Sequence, residues 1–142
     1  MLNDIIIAIS KKLNLVFGNT YTIYDESVKQ DMKEPCFFIM LLSPSQEQVI
    51  GKRYFRTQPF DIHYFPSVEG NKQEMNDMAD SLYDAMEYVT LNDTDILHGT
   101  SLNHQIVDGV LHFFVNYNMY VHKVEPVADY MENVTVNNEV IQ

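Results

Sequence analysis

An unusually long extended segment, VDGVLHFFVNYNMYVHK, occupies residues 107–123. Asp108-Gly109 predicts a tight hairpin turn, because glycine tolerates the positive φ that such turns require. The residues that follow predict one strand of well over twice the usual length. At about 3.3 Å per residue this strand would reach ~40 Å, close to the width of a small domain.

The two faces of this predicted strand differ in chemistry, since successive side chains point to opposite sides. The first face is apolar and predicts the core side: Leu111, Phe113, Val115, Tyr117, Met119 and Val121. The second face mixes aromatic rings with amides and imidazoles: His112, Phe114, Asn116, Asn118, Tyr120 and His122. Aromatic residues without charges are typical of protein interfaces. Two interpretations stay open: a bent strand that crosses its own domain twice, or an overhang that packs on another copy of the chain.

Helical periodicity appears twice. It predicts a first amphipathic helix from Leu2 to Phe17, which Gly18-Asn19 would end. It predicts a second helix from Lys72 to Val89, whose polar stripe is acidic and spaced like an ordinary solvated helix face: Glu74, Asp77, Asp80, Asp84 and Glu87. Two helices and several hairpins predict an α+β fold, in which an antiparallel or mixed sheet carries both helices on one face.

The extended segments between the helices complete this fold. The apolar run CFFIMLL (36–42) predicts a strand buried on both faces. QVIGKRYFR (48–56) and PFDIHYFP (59–66), separated by Thr57-Gln58, predict a hairpin. The length of 142 residues predicts a single domain, here residues 1–123. The polar residues 124–142 predict either an edge strand or a flexible C-terminal tail.

Charge is unevenly distributed along the chain, whose net charge is −11. Residues 1–68 hold seven acids and seven bases, residues 69–123 nine acids and two bases, and residues 124–142 four acids and no base. This distribution argues against a protein that grips phosphate backbones through its bulk surface. It fits a protein that stays soluble at high copy number, or one whose acidic surface must not adhere to nucleic acid.

Cysteine usage and hydropathy indicate further properties. The single cysteine, Cys36, lies in an apolar run, so a buried small hydrophobic residue is favoured over a nucleophile. A single cysteine also indicates a reducing compartment. No run approaches the ~18 apolar residues of a membrane span. The N-terminal segment has no basic residue before its apolar patch and no small-residue cleavage site, so it predicts a helix rather than a secretory signal.

Motifs that carry catalytic chemistry are missing from the sequence. The five histidines form no metal-binding spacing, and no nucleophile elbow or phosphate-binding glycine loop occurs. Asp61 and His63 would share one face of a strand and could bind a metal weakly, but a polar sheet face explains both. The sequence therefore predicts no enzyme, no catalytic or metal-binding residue and no cofactor.

One basic cluster stands out, GKRYFR, in which Lys52, Arg53 and Arg56 flank Tyr54 and Phe55. Basic and aromatic residues in alternation can bind single-stranded nucleic acid. In a chain this acidic, the favoured interpretation is a contact with the acidic helix of a second copy.

Three segments resemble the tail terminator (tail completion) proteins of phages and prophages of Gram-positive hosts. They are MLNDIIIAISKKL, KEPCFFIMLLSPSQEQVIGKRYFRTQPFDIHYFP and NHQIVDGVLHFFVNYNMYV, in the family's order and at similar spacing. The resemblance covers residues 1 to about 123 and excludes residues 124–142.

The resemblance implies a virion structural protein with a small α+β fold, located in the neck region of the tail after assembly in the host cytoplasm. Such proteins form hexameric rings that stop polymerisation of the major tail protein and present a surface to the head–tail connector protein. The resemblance further implies that DNA passes through the ring lumen without specific binding and that no membrane takes part.

The resemblance also gives roles to residues already singled out. The hairpin from Val49 to Phe65 is the expected docking element. The expected subunit or tail-tube interface comprises Lys52, Arg53, Tyr54, Phe55, Arg56, Phe114 and Tyr120. Asp77, Asp80 and Asp84 are expected to face the lumen. The alternatives are another head–tail neck adaptor or joining protein, or a small metal- or ligand-binding protein that uses Asp61 and His63.

Overall fold

The computed structural model describes residues 1–26 and 33–124, and within them the chain forms two helices and ten strands. The helices are α1 (Leu2–Phe17) and α2 (Lys72–Ala85). The strands are β1 (Thr22–Tyr24), β2 (Cys36–Leu41), β3 (Ser45–Ile50), β4 (Arg53–Thr57), β5 (Pro59–Phe65), β6 (Tyr88–Leu91), β7 (Asp95–His98), β8 (Thr100–Val107), β9 (Val110–Asn116) and β10 (Met119–His122). The predicted C-terminal edge strand or flexible tail lies outside the described residues.

Both helices begin where the sequence predicts. α1 has the predicted bounds and is followed by Gly18, whose φ of 75° is a positive value that glycine adopts without strain. α2 begins after Asn71, whose side chain accepts a hydrogen bond from the backbone N–H of Glu74. It ends at Ala85, before the predicted Val89, because Val89 and its β-branched neighbour Thr90 pair with β7 instead.

Five strands form the main sheet in the order β1-β2-β5-β9-β8. β1 pairs with β2 in parallel, and the other three pairs are antiparallel. Asp108 and Gly109 both have positive φ values and connect β8 to β9, which confirms the predicted tight turn. β8 contains an irregularity between Thr100 and Asn103, where Ser101 has a φ of 54°. The mixed sheet and two helices confirm the predicted α+β fold class.

One face of this sheet forms the core together with both helices. Its buried residues are Phe37 and Ile39 on β2, Phe60, Ile62 and Tyr64 on β5, and Leu111, Phe113 and Val115 on β9. They join one apolar cluster with Ile5, Ile9 and Leu13 of α1 and Met75, Ala79 and Leu82 of α2. Fully burying a large apolar side chain of this kind contributes roughly 1.5–3 kcal/mol. The predicted core side of residues 111–117 is therefore confirmed.

The opposite face of the sheet is only partly covered. Cys36 is fully buried, as predicted, but Phe38 and Met40 of the same strand are half-buried, so β2 is not closed on both faces. Burial and the charge of Glu34 raise the pKa of the Cys36 thiol to about 11. A thiol with so high a pKa is a poor nucleophile near neutral pH.

The predicted long strand is in fact two strands, because it is interrupted after Asn116. Between β9 and β10, Tyr117 is fully buried and its hydroxyl donates a 2.7 Å hydrogen bond to the backbone oxygen of Met86. Burial raises the pKa of Tyr117, which keeps this donor protonated. β10 pairs with β4 of the same chain.

Gln58 compensates for this interruption. It is fully buried, its backbone oxygen accepts a 2.9 Å hydrogen bond from the N–H of Tyr117, and its side-chain amide donates a 2.8 Å bond to the oxygen of Tyr117. Its own N–H donates to Oδ1 of Asn118 at 3.0 Å. These bonds satisfy backbone groups that the strand ladders leave unpaired at Gln58 and Tyr117.

The predicted hairpin between residues 48–56 and 59–66 is wrong. The first segment folds back on itself, with β3 and β4 joined by a turn at Gly51, whose φ is 54°. β5 instead lies between β2 and β9 in the main sheet. An apolar strand such as β5 gains more from pairing at the centre of a sheet than from a local hairpin, since its core-facing residues are then buried.

The described residues divide into two compact units. The large unit comprises Met1–Gln46 and Arg56–Met119, and contains the main sheet and both helices. The small unit comprises Glu47–Phe55 and residues 120–124. It contains most of a three-stranded sheet with the order β10-β4-β3.

Candidate interaction surfaces

The tip of the small unit exposes apolar side chains. Val49 is 53% exposed and Ile50 is 72% exposed, immediately before the turn at Gly51. The side-chain amide of Gln48 donates a 2.6 Å hydrogen bond to the backbone oxygen of Gly51, which fixes the turn. Every residue of β3 is exposed. Two adjacent apolar residues at a fixed turn are a surface that another protein can cover.

Most of the predicted basic and aromatic cluster lies in the small unit, where the strand alternation divides it between two faces. The Arg53 guanidinium lies 4.5 Å from the ring centroid of Tyr120, and the Phe55 and Tyr120 rings are 4.9 Å apart. On the other side, Nζ of Lys123 lies 4.3 Å from the Tyr54 ring. The aromatic rings are thus already in contact with cations and rings of their own chain, which leaves less aromatic surface for stacked bases.

Arg56 is separate from this cluster. It belongs to the large unit, where its Nη1 lies 3.2 Å from Sδ of Met1. Its Nε is buried and has no hydrogen-bond partner among the described residues. Lys52, in contrast, is exposed at the turn, and its backbone oxygen accepts a 2.8 Å hydrogen bond from the N–H of Lys123. Of the predicted basic residues, Lys52 and Arg53 are therefore the exposed ones.

The two aromatic residues that the sequence places on one strand face fall into different units. Tyr120 is 56% exposed in the small unit. Phe114 is half-buried in the large unit, on the sheet face opposite the helices. The interruption at Tyr117 separates them, and the sequence shows no Gly or Pro that would have marked it.

The predicted lumen residues share one exposed helix face. Asp77, Asp80 and Asp84 are all exposed on α2. Glu74, which the sequence places on the same solvated stripe, has a different environment: its carboxylate accepts hydrogen bonds from the Tyr64 hydroxyl at 2.6 Å and from the Ser67 backbone at 2.7 Å. The interpretation of Glu74 as part of a simple solvated face is therefore wrong.

Asp61, His63 and His112 meet on the face of the main sheet opposite the helices. Oδ2 of Asp61 lies 3.0 Å from Nε2 of His63 and 2.9 Å from Nδ1 of His112. The sequence indicates the pair Asp61 and His63, but not His112. Only the register of β5 and β9, which places His63 directly opposite His112, brings the third residue in.

In the described part of the chain, neither helix is long and apolar enough to cross a lipid bilayer. Against known proteins, the chain matches none of the curated sequences. One solved structure, whose name states no function, aligns with this chain at 11% identity and a TM-score of 0.47. The alignment covers 89% of this chain and 98% of the other. The sequence profile of a family described as phage tail terminator protein matches residues 4–129. Because this match spans most of the chain, the protein belongs to the phage tail terminator family.

Proposed function

We propose that this protein closes the end of a phage tail tube as a homo-oligomeric ring and provides the surface to which the head–tail connector joins. The ring stops further addition of the major tail protein, and no covalent bond is made or broken. Membership of the tail terminator family supports a structural role in the tail. A hexamer is the expected ring, as the resemblance to tail terminators implies.

The surface composition of the small unit is the observation that supports this proposal. It combines the exposed apolar residues Val49 and Ile50 with the cations of Lys52 and Arg53. The large unit, which holds more acids than bases, carries the complementary charge. A closed ring needs two different, complementary surfaces on each subunit, because its contacts are heterologous. We assign the small unit to the contact with the next subunit or with the tube.

Ile50→Asp is expected to weaken ring formation and tube capping by about 30-fold or more. A charged side chain at a buried interface position costs at least the ~2 kcal/mol of an interface hot spot. Sedimentation velocity and negative-stain imaging, with and without the major tail protein, measure this effect. Because Ile50 is 72% exposed, the monomer fold should be unchanged.

Ile96→Asp is the matched control for this variant. Ile96 is 68% exposed but lies on β7, outside the small unit. The Ile96→Asp variant should assemble and cap tubes like the unmodified protein. Equal loss in both variants, or full assembly of Ile50→Asp, would contradict the assignment of the small unit.

We further propose that the acidic face of α2 lines the lumen, where negative charge lets DNA slide without adhering. Asp80→Cys, coupled to maleimide-gold, should then place the label at the centre of end-on ring images. Cys36 gives little background because it is buried and its pKa is raised to about 11.

Asp95→Cys is the control for this labelling experiment, since Asp95 is exposed on β7. Its label should lie away from the centre. Gold from Asp80→Cys at the outer edge of the ring would exclude α2 as the lumen wall and leave the proposal of a ring intact.

A further inference from the structure

We propose that Asp61, His63 and His112 form a binding site for a divalent transition-metal ion, Zn²⁺ first among them, which links β5 to β9. This site lies within the large unit and is independent of the proposed ring. The candidate ligand atoms, one per residue, all lie within 4.8 Å of one another.

The distances from Asp61 to the two histidines suit a tetrahedral ion. Zn²⁺ takes imidazole nitrogen and carboxylate oxygen at about 2.0–2.1 Å, so two ligand atoms of a tetrahedron lie roughly 3.3 Å apart. The distances of 3.0 Å from Asp61 to His63 and 2.9 Å from Asp61 to His112 are close to this separation. Small side-chain movements would therefore admit the ion, with water in the fourth position.

Asp61 supplies a second, independent observation. It is only 5% exposed, and its Oδ1 is buried with no hydrogen-bond partner among the described residues. A buried carboxylate oxygen without a partner is costly, and a cation bound to the carboxylate offsets that cost. Oδ2 alone already accepts from both histidines, so the imidazoles leave Oδ1 unsatisfied.

The donor set selects the class of metal. Two imidazole nitrogens and one carboxylate suit Zn²⁺, Co²⁺, Ni²⁺ or Cu²⁺, whereas Mg²⁺ and Ca²⁺ prefer sites made of oxygen. Each histidine would bind through the nitrogen that now faces Asp61, and its ring proton would move to the other nitrogen or to solvent.

The surroundings allow entry but limit water. The side chains of His63 and His112 are 14% and 22% exposed, which gives an ion a route from solvent. Aromatic rings lie around them: Phe38 is 5.5 Å from His63, Phe65 is 6.3 Å from His63 and Phe114 is 6.4 Å from His112, between ring centroids. Such an apolar shell strengthens ligand–metal contacts by excluding solvent.

Titration of the chelator-treated full chain with Zn²⁺ in a calorimeter tests the proposal. We expect one ion per chain, and a loss in affinity beyond ~100-fold in His63→Gln or His112→Gln, more than the removal of an outer partner costs. His122→Gln is the matched control, since His122 is exposed in the small unit. It should bind like the unmodified protein.

A measurement without substitution guards against variants that fail to fold. In nitrogen-15 spectra of the histidine rings, Zn²⁺ should shift Nε2 of His63 and Nδ1 of His112 and leave His122 unchanged. Binding that survives both His63→Gln and His112→Gln, equal loss in His122→Gln, or unshifted ring nitrogens would overturn the proposal. The assays of subunit assembly and tube capping would be unaffected by that outcome.

Discussion

Gly99→Ala is expected to lower the free energy of unfolding by about 3 kcal/mol, at the upper end of the cost of overpacking a core. A Cβ at this position would lie 2.5 Å from the backbone oxygen of Met86 and 2.8 Å from Cγ2 of Val115. Neither atom can retreat easily, because Val115 is fully buried on β9 and the Met86 oxygen accepts the hydrogen bond of Tyr117. Chemical denaturation followed by circular dichroism measures the loss.

Gly51→Ala is the control for this prediction. Its φ of 54° disfavours any side chain by about 1 kcal/mol, but its Cβ would meet no described atom within 4 Å. Gly99→Ala should therefore be clearly the less stable variant. In a Tyr117→Phe background the effect of Gly99→Ala should shrink, because the hydrogen bond that the added methyl group disturbs is already lost. Equal stability of the two glycine variants would contradict the steric argument.

Glu74→Ala is expected to destabilise the protein by about 2 kcal/mol, mainly the cost of leaving one buried hydrogen-bond donor without a partner. The hydroxyl of Tyr64, which is 1% exposed, would lose its acceptor. The loop before α2 would lose the bonds from the Ser67 N–H and hydroxyl, at 2.7 and 2.9 Å. Urea denaturation at neutral pH measures this effect.

The same carboxylate predicts a dependence on pH. Partial burial acts to raise the pKa of Glu74, but hydrogen bonds from Tyr64, Ser67 and Val68 outweigh burial and lower it overall. Because the folded-state pKa is lowered, the stabilisation is complete above the ordinary glutamate pKa of about 4.3 and is lost as the pH falls through the lowered value. Glu74→Gln should lose less stability than the unmodified protein over that acid range. If the free energy of unfolding depended on pH in the same way in both proteins, Glu74 would not be held ionised by these bonds.

Local signals in the sequence predict the helices and one turn. The bounds of α1 follow from its apolar periodicity and Gly18, and the turn at Asp108-Gly109 follows from residues that accept positive φ. Local patterns could not predict the partners of β5, because an apolar strand pairs where its face is buried. The turn at Gly51 had a visible signal, a glycine between two extended runs, which the continuous β propensity around it obscured.

In the candidate sites, too, some features follow from local sequence patterns and others depend on the tertiary fold. The exposed acids of α2 follow from helix periodicity alone. The approach of His112 to Asp61 depends on the register of two strands far apart in sequence, which no local pattern contains. The interruption at Tyr117 depends on the side chain of Gln58 and on an acceptor at Met86, and both are products of the tertiary fold.

The described strands differ in how well their free edges resist unwanted pairing. At one border of the main sheet β1 has only three residues, and at the other border β8 is distorted at Ser101; both are devices that deter adventitious β-sheet growth. β3, a border strand of the smaller sheet, has neither device: it runs for six residues with Glu47 as its single charge. Overproduced without its natural neighbours, the protein should therefore aggregate through β3. Gln46→Lys should act as a gatekeeper that improves the yield of soluble material, and it keeps the hydrogen bond from Gln48 to Gly51.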